Sequence, residues 1–221
     1  MPLGDNGPVD VTRRWSLVVP LKPLAVAKSR LARAAGAVRP ALALAFVLDT
    51  VAGALECAGV ADVTVVTDDP VAGAEVAALG ALVVADVPAA GLNAALRYGA
   101  ERVRLRSAGA AVGALNGDLP ALRPAELTAV LLEAARLPGR AFLADAAGVG
   151  TTLLTASPGV PLSPGFGGAS RARHLASGAR EITLPDVESV RRDVDTGADL
   201  EEARALGVGP RTARLLPTCT A

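Results

Sequence analysis

The chemistry open to this chain is concentrated in three acidic positions and one basic loop. Asp118 stands in Asn116-Gly117-Asp118-Leu119-Pro120, directly after an apolar run, and Asp193 and Asp195 alternate in Asp193-Val194-Asp195-Thr196. Residues two apart share a face in extended backbone, so Asp193 and Asp195 project together. With Asp118 they form an all-oxygen donor set suited to magnesium, which combines a few carboxylates with water and substrate phosphate. The plainer readings are a Gly-Asp turn that ends a strand and an Asp-Thr helix cap. Lys22, Lys28 and Arg30 lie in the proline-broken loop that follows the apolar stretch at Val18. Such a layout holds a triphosphate at the carboxyl edge of a sheet and neutralises charge that shifts onto a leaving pyrophosphate. A solvated surface loop is the alternative.

Weaker signals surround these groups. Gly165-Phe166-Gly167-Gly168-Ala169-Ser170 can bring backbone N–H groups close to a small anion, with Ser170 expected to cap the following helix. Arg171, Arg173 and the lone histidine, His174, follow it, and a solvated helix accounts for them equally well. Thr151 opens a strand after two glycines and offers a hydroxyl to an acceptor. Gly91-Leu92-Asn93 opens a helix and places Asn93 where a base or ribose could be contacted, although helix capping explains it too. Several chemistries are disfavoured. The Walker pattern is missing around Ala27-Lys28-Ser29, and a single histidine without a Gly-x-Ser-x-Gly elbow leaves no basis for a Ser-His-Asp hydrolase.

The elements that must position these residues follow from the apolar pattern. Buried strands are expected at Ser16–Leu21, Val63–Thr67, Ala81–Ala85, Ala110–Leu115, Arg140–Ala144, Thr151–Ala156 and Glu181–Leu184. Helices are expected at Pro40–Cys57, Val71–Leu79, Gly91–Arg106, Pro124–Arg136, Ser170–Ser177 and Val194–Leu206, several opened by proline, the last with Thr196 near its start and Gly207 just past its end. The Pro/Gly-rich stretch Ser157 to Gly168 reads as a flap on the acceptor side. Strand and helix alternation predicts an α/β fold, a mostly parallel twisted sheet with helices on both faces and ligands at the strands' carboxyl ends.

Bulk properties narrow the class. The chain has 221 residues, 51% of them hydrophobic, which suits one large domain; residues 1–13 read as a flexible N-terminal tail and 14–221 as the domain. Lys plus Arg equals Asp plus Glu at 22 each, so no overall field draws the chain to nucleic acid or to an anionic membrane. Aromatic residues are too few for a base-stacking platform. The apolar region from Ala41 to Ala61 is interrupted by Asp49 and Glu56, which favours a buried helix over a membrane span. Two cysteines make no disulfide framework or zinc site, and a cytoplasmic location is expected. No obligate protein partner is evident.

Taken together, Val-Pro-Leu-Lys-Pro-Leu-Ala-Val-Ala-Lys-Ser-Arg-Leu at Val19 to Leu31, Gly-Asp-Leu-Pro-Ala-Leu at Gly117 to Leu122, Phe-Gly at Phe166 and Asp-Val-Asp-Thr at Asp193 resemble the guanylyltransferase family of coenzyme F420 biosynthesis. The resemblance implies a single nucleotidyltransferase domain, Rossmann-like and GT-A-like. It also implies transfer of GMP from GTP to the phosphate of phosphoenolpyruvate or 2-phospho-L-lactate, with release of pyrophosphate. It puts magnesium on Asp118, Asp193 and Asp195, and acceptor contacts on Thr151, Gly167 and Ser170. Asp118 and Lys28 would carry catalysis, while Lys22, Lys28, Arg30 and Asn93 would bind nucleotide. One departure falls at Gly168-Ala169, where relatives often carry Pro-Asp. The Ala/Arg/Gly-heavy composition resembles high-GC actinobacterial chains, whose members of this family use phosphoenolpyruvate. Rival readings are a nucleotidyltransferase of the molybdenum-cofactor or sugar-nucleotide type, and a non-catalytic nucleotide-binding module.

Overall fold

The computed structural model describes residues 14–24 and 38–216. Lys28 and Arg30 of the basic loop, and the expected tail at 1–13, lie outside these residues. The elements run β1 (Trp15–Pro20), α1 (Arg39–Glu56), β2 (Val60–Val66), α2 (Pro70–Ala78), β3 (Leu82–Val84), α3 (Leu92–Arg106), β4 (Ala111–Leu115) and α4 (Pro124–Arg136). They continue as β5 (Arg140–Ala144), β6 (Thr151–Ala156), α5 (Ser170–Ala176), β7 (Arg180–Glu181), α6 (Glu188–Arg191), α7 (Gly197–Leu206) and α8 (Pro210–Leu215).

The strands form one seven-stranded sheet in the order β3-β2-β1-β4-β6-β5-β7. The β1, β2, β3 and β4 pairings are parallel, β5 pairs in parallel with β7, and β6 alone runs against both of its neighbours. The expected mostly parallel sheet is present. Its reversed strand was not anticipated, because hydrophobic patterning reports burial and not direction.

β1 is buried at every residue from Trp15 to Val19, as a central strand covered on both faces must be. Its alternate side chains feed different cores. Leu17 and Val19 pack with Val47 and Val51 of α1 and Leu127 and Leu131 of α4, while Val18 packs with Leu96, Ala100 and Val103 of α3. Helices therefore cover both faces, and two glycines mark where a helix comes closest. A Cβ on Gly99 would lie 2.5 Å from Val18 Cγ1 and 2.8 Å from Val66 Cγ2, and one on Gly53 would lie 2.9 Å from the Leu122 carbonyl oxygen.

A third, smaller core joins Leu42 and Phe46 of α1 to Ala121, Val194, Leu200 and Ala203. α8, absent from the sequence reading, is fastened to the same region. The buried carboxylate of Asp49 accepts the Thr212 N–H at 2.8 Å and the Arg211 N–H at 3.2 Å, and Gly209 N–H donates to the Pro120 carbonyl at 2.8 Å. Asp49, which in the sequence served only to interrupt an apolar run, is thus the buried N-terminal cap of another helix. No helix of the described residues is long and apolar enough to cross a membrane.

Candidate active site

The order of the strands creates the site. From β1 the chain moves outward to β2 and β3, then returns to place β4 on the other side of β1. Loops leaving β1 and β4 diverge at this reversal, opening a crevice at the carboxyl edge of the sheet. A cleft of about 610 Å³ lies there. Lys22, just past β1, and Asn116, Gly117 and Asp118, just past β4, form part of its wall.

The direction of β6 supplies the other wall. Leu115 pairs with Leu153, and the Asn116 N–H donates to the Thr152 carbonyl at 2.9 Å. A strand running in reverse begins at the edge where its neighbours end, so Thr151 faces the same cleft as Asp118. Gly150, Phe166, Gly167, Gly168, Ser170, Asp193 and Asp195 complete the lining.

Asp118 reaches the second acidic segment through its backbone, since its carbonyl accepts the Val194 N–H at 3.0 Å. Val194 is fully buried in the third core, whereas its neighbours Asp193 and Asp195 line the cleft. The helix cap belongs to the next residue. Thr196 and Asp199 form a capping box at the start of α7, and the Asp199 carboxylate also accepts the Asp195 N–H at 3.1 Å. Thr196 thus caps α7, which begins at Gly197 rather than at Val194, so Asp193 and Asp195 precede the helix.

These three carboxylates suit a hard cation in chemistry, and all three line the cleft. Among the described residues, however, no three Asp, Glu, His or Cys side chains are gathered closely enough to chelate one ion by themselves. The expectation of three converging ligands is corrected to that extent. Like charges repel at short range, and magnesium usually draws only one or two ligands from protein, completing its shell with water and substrate phosphate.

A fourth carboxylate in the cleft escaped the sequence reading. Asp145 follows β5, accepts the Gly150 N–H at 2.8 Å and the Val149 N–H at 2.9 Å, and so folds the turn that delivers Thr151. The Asp145-x-x-x-Val149-Gly150 spacing after a strand is the signal that could have revealed it.

In the glycine-rich loop, Gly167 has φ of +96° and Gly168 +46°, conformations that suit glycine. Ser170 is buried and is the first residue of α5; Ala169 holds the cap position, with no side-chain capping bond. The role given to Ser170 as a cap is therefore corrected, because its hydroxyl lies one residue too far along to reach the N–H groups that a cap serves.

The expected flap is pinned rather than loose. Leu162 and Phe166 are buried against β4, β5 and α3. Asn93 forms a reciprocal pair with Phe166, accepting its N–H at 2.8 Å and donating to its carbonyl at 3.1 Å. Asn93 is not among the lining residues; its neighbour Leu92 is. Its amide holds the loop at Phe166.

Behind the same wall, His174 is buried and its Nε2 accepts the Gly165 N–H at 3.0 Å, with Nδ1 lying 2.9 Å from Thr151 Oγ1. Burial lowers its pKa from 6.5 to about 4, and the neighbouring Arg173 and Arg140 charges push in the same direction. In the turn after β2, the Asp69 carboxylate accepts the N–H groups of Leu24, Ala72 and Val71, and these bonds hold its pKa below the ordinary carboxylate value. Asp69 caps α2 and ties down the loop that carries Lys22.

A crevice at a switch point, edged by carboxylates and lined by a glycine loop, fits the nucleotidyltransferase class. Solved structures agree on the fold. The CTP complex of CMP:2-keto-3-deoxy-manno-octonic acid synthetase superposes with a TM-score of 0.58 at 19% identity, covering 92% of this chain and 100% of that one. A nucleotidyl transferase from Methanothermobacter gives 0.57 at 23%, covering 87% and 97%. The family model described as "Guanylyl transferase CofC like" matches residues 15–217, and the chain belongs to that family. Among its relatives, the phosphoenolpyruvate guanylyltransferase of Streptomyces coelicolor is 65% identical over 201 residues, 90% of this chain and 94% of that protein. The protein of the same name from Thermomonospora curvata is 60% identical over 206 residues, 93% of this chain and 90% of that protein. The protein is an enzyme, and its class of reaction is guanylyl transfer.

Proposed function

We propose that this enzyme transfers GMP from GTP to the phosphate of phosphoenolpyruvate, in the biosynthesis of coenzyme F420, using magnesium. The carrying observation is that Lys22, Asp118, Asp193 and Asp195 share one cleft with Thr151, Gly167 and Ser170. A donor wall and an acceptor wall thus face each other across a single crevice. The names of the similar proteins support phosphoenolpyruvate as the acceptor.

An oxygen of the acceptor phosphate attacks the α-phosphorus of GTP. A new P–O bond forms there as the bond to the β-phosphate breaks, and pyrophosphate leaves with the electron pair. No general base is required, because a phosphate monoester loses its second proton with a pKa of about 6 and its attacking oxygen is already anionic at neutral pH. The protein's share is to hold two polyanions in line, which depends on cations and positioning rather than on proton transfer.

In this reading Lys22, which is exposed, faces the donor phosphates from the edge of the cleft. Lys28 and Arg30, which lie outside the described residues, would add positive charge. Asp118, Asp193 and Asp195 would hold magnesium together with water and substrate phosphate, and the ion would neutralise charge on the donor phosphates. The Thr151 and Ser170 hydroxyls and the backbone at Gly167 seat the acceptor acid.

Mass spectrometry of the products formed from GTP, magnesium and each candidate acid tests the proposal. A guanylylated phosphoenolpyruvate, formed with stoichiometric pyrophosphate, is expected. Product only from 2-phospho-L-lactate would move the acceptor, and pyrophosphate release only with CTP would overturn the donor.

A further inference from the structure

The lone histidine sits directly behind the acceptor wall, and its hydrogen bonds determine where its proton is. A backbone N–H can only donate, so the bond from Gly165 to Nε2 makes that nitrogen the acceptor. In the uncharged ring the proton is then on Nδ1, which donates to Thr151 Oγ1 across 2.9 Å. One lone pair of the threonine oxygen is taken by this bond, and the hydroxyl's own hydrogen must point elsewhere. No other hydrogen bond is made by this hydroxyl among the described residues, and Thr151 lines the cleft.

From this geometry we infer that His174 is a positioning residue which makes the Thr151 hydroxyl a one-way donor into the cleft, matched to an anionic oxygen of the acceptor. The inference rests on the reading of Thr151 as an acceptor contact. The same ring fixes the loop as well, because Gly165 lies two residues before Gly167. Two aromatic rings hold the imidazole in place, Phe166 edge-on at 5.2 Å and Phe142 at 5.6 Å between centroids.

The charged groups near the ring are Arg173 of its own helix and Arg140 of β5, both cations. They and the surrounding apolar side chains keep the ring uncharged at working pH. An imidazolium would set an Nε2–H against the Gly165 N–H, breaking the loop tether and freeing Thr151 to reorient.

The chain has one histidine, so its imidazole nitrogens give unambiguous signals in a spectrum of the 15N-labelled full-length protein. At pH 7.5, a protonated Nδ1 and an unprotonated Nε2 are expected. An Nε2–H tautomer, or a ring charged at that pH, overturns the inference without any variant.

Steady-state kinetics with GTP and phosphoenolpyruvate supply the functional half. His174→Phe keeps the volume and removes both polar contacts. It is expected to raise KM for the acid about tenfold or more, the loss that follows removal of one hydrogen bond to a charged group. KM for GTP should stay unchanged. His174→Asn, which restores an amide N–H toward Thr151, should recover part of the loss. Thr151→Val should show the same rise in acid KM, and the double variant Thr151→Val with His174→Phe should be little worse than Thr151→Val alone. Equal rises in both KM values, or full additivity, overturn the inference. If Thr151→Val binds the acid normally, the acceptor reading of Thr151 falls and takes this inference with it. If Thr151→Val is impaired but His174→Phe is not, only the inference falls.

Discussion

Because His174 is buried uncharged, acid should destabilise this enzyme in a defined window. In the unfolded chain the imidazole titrates near 6.5, and in the fold near 4. Between these values the unfolded state binds the extra proton, so folding stability rises with pH across the window. The contribution is fully present above 6.5 and is lost progressively as pH falls toward 4. At about 1.4 kcal/mol per pH unit, the displacement corresponds to about 3 kcal/mol. Solvent in the adjoining cleft screens part of that, leaving about 2 kcal/mol as the expected share. Carboxylates such as Asp69 titrate lower down, so the His174 term is isolated by comparison with His174→Phe, which keeps the packing against Phe142 and Phe166. Urea unfolding of both proteins at intervals from pH 7.5 to pH 4.5 should show stability curves that converge as pH falls, the wild type losing the additional free energy. Parallel curves across this range would refute the reasoning, since they would mean that the ring takes up its proton equally in the folded and unfolded states.

Other perturbations separate the parts of the site. Asp118→Asn and Asp195→Asn should each abolish guanylyl transfer in magnesium while leaving the unfolding midpoint nearly unchanged; near-normal pyrophosphate release by either purified variant would refute the metal assignment. Asp69→Ala removes the α2 cap and the tether on Leu24, and should cost about 1 kcal/mol by denaturant titration. It should also raise KM for GTP, because the Lys22 loop loses its anchor. Gly99→Ala drives a methyl into Val18 and Val66, so a loss of about 1–3 kcal/mol is expected. Gly109→Ala, with open space around the new carbon, provides the control. Asp49→Ala leaves the Arg211 and Thr212 N–H groups without their buried acceptor and should cost about 1–3 kcal/mol, measured by thermal unfolding.

What the amino-acid sequence determined by itself was local. Apolar runs marked the strands, and Pro124 opened α4 over the expected span, because a fixed φ and a missing N–H belong at a first helical turn. Thr196 and Gly207 bracketed α7 for similarly local reasons. Asp118 could be placed at the end of β4 because a carboxylate following a buried strand must emerge from the core. What only the tertiary structure decided was direction and encounter. Nothing in Thr151-Thr152-Leu153-Leu154-Thr155-Ala156 reveals that this strand runs backwards, yet that reversal carries Thr151 to the edge where Asp118 stands. The bond from Val194 to the Asp118 carbonyl, the use of Asn93 as a clamp on Phe166, and the contact of His174 Nδ1 with Thr151 all join residues far apart in the chain. A side chain's local neighbours set its backbone conformation, but its hydrogen-bond partner and its charge state depend on which distant segment packing brings beside it.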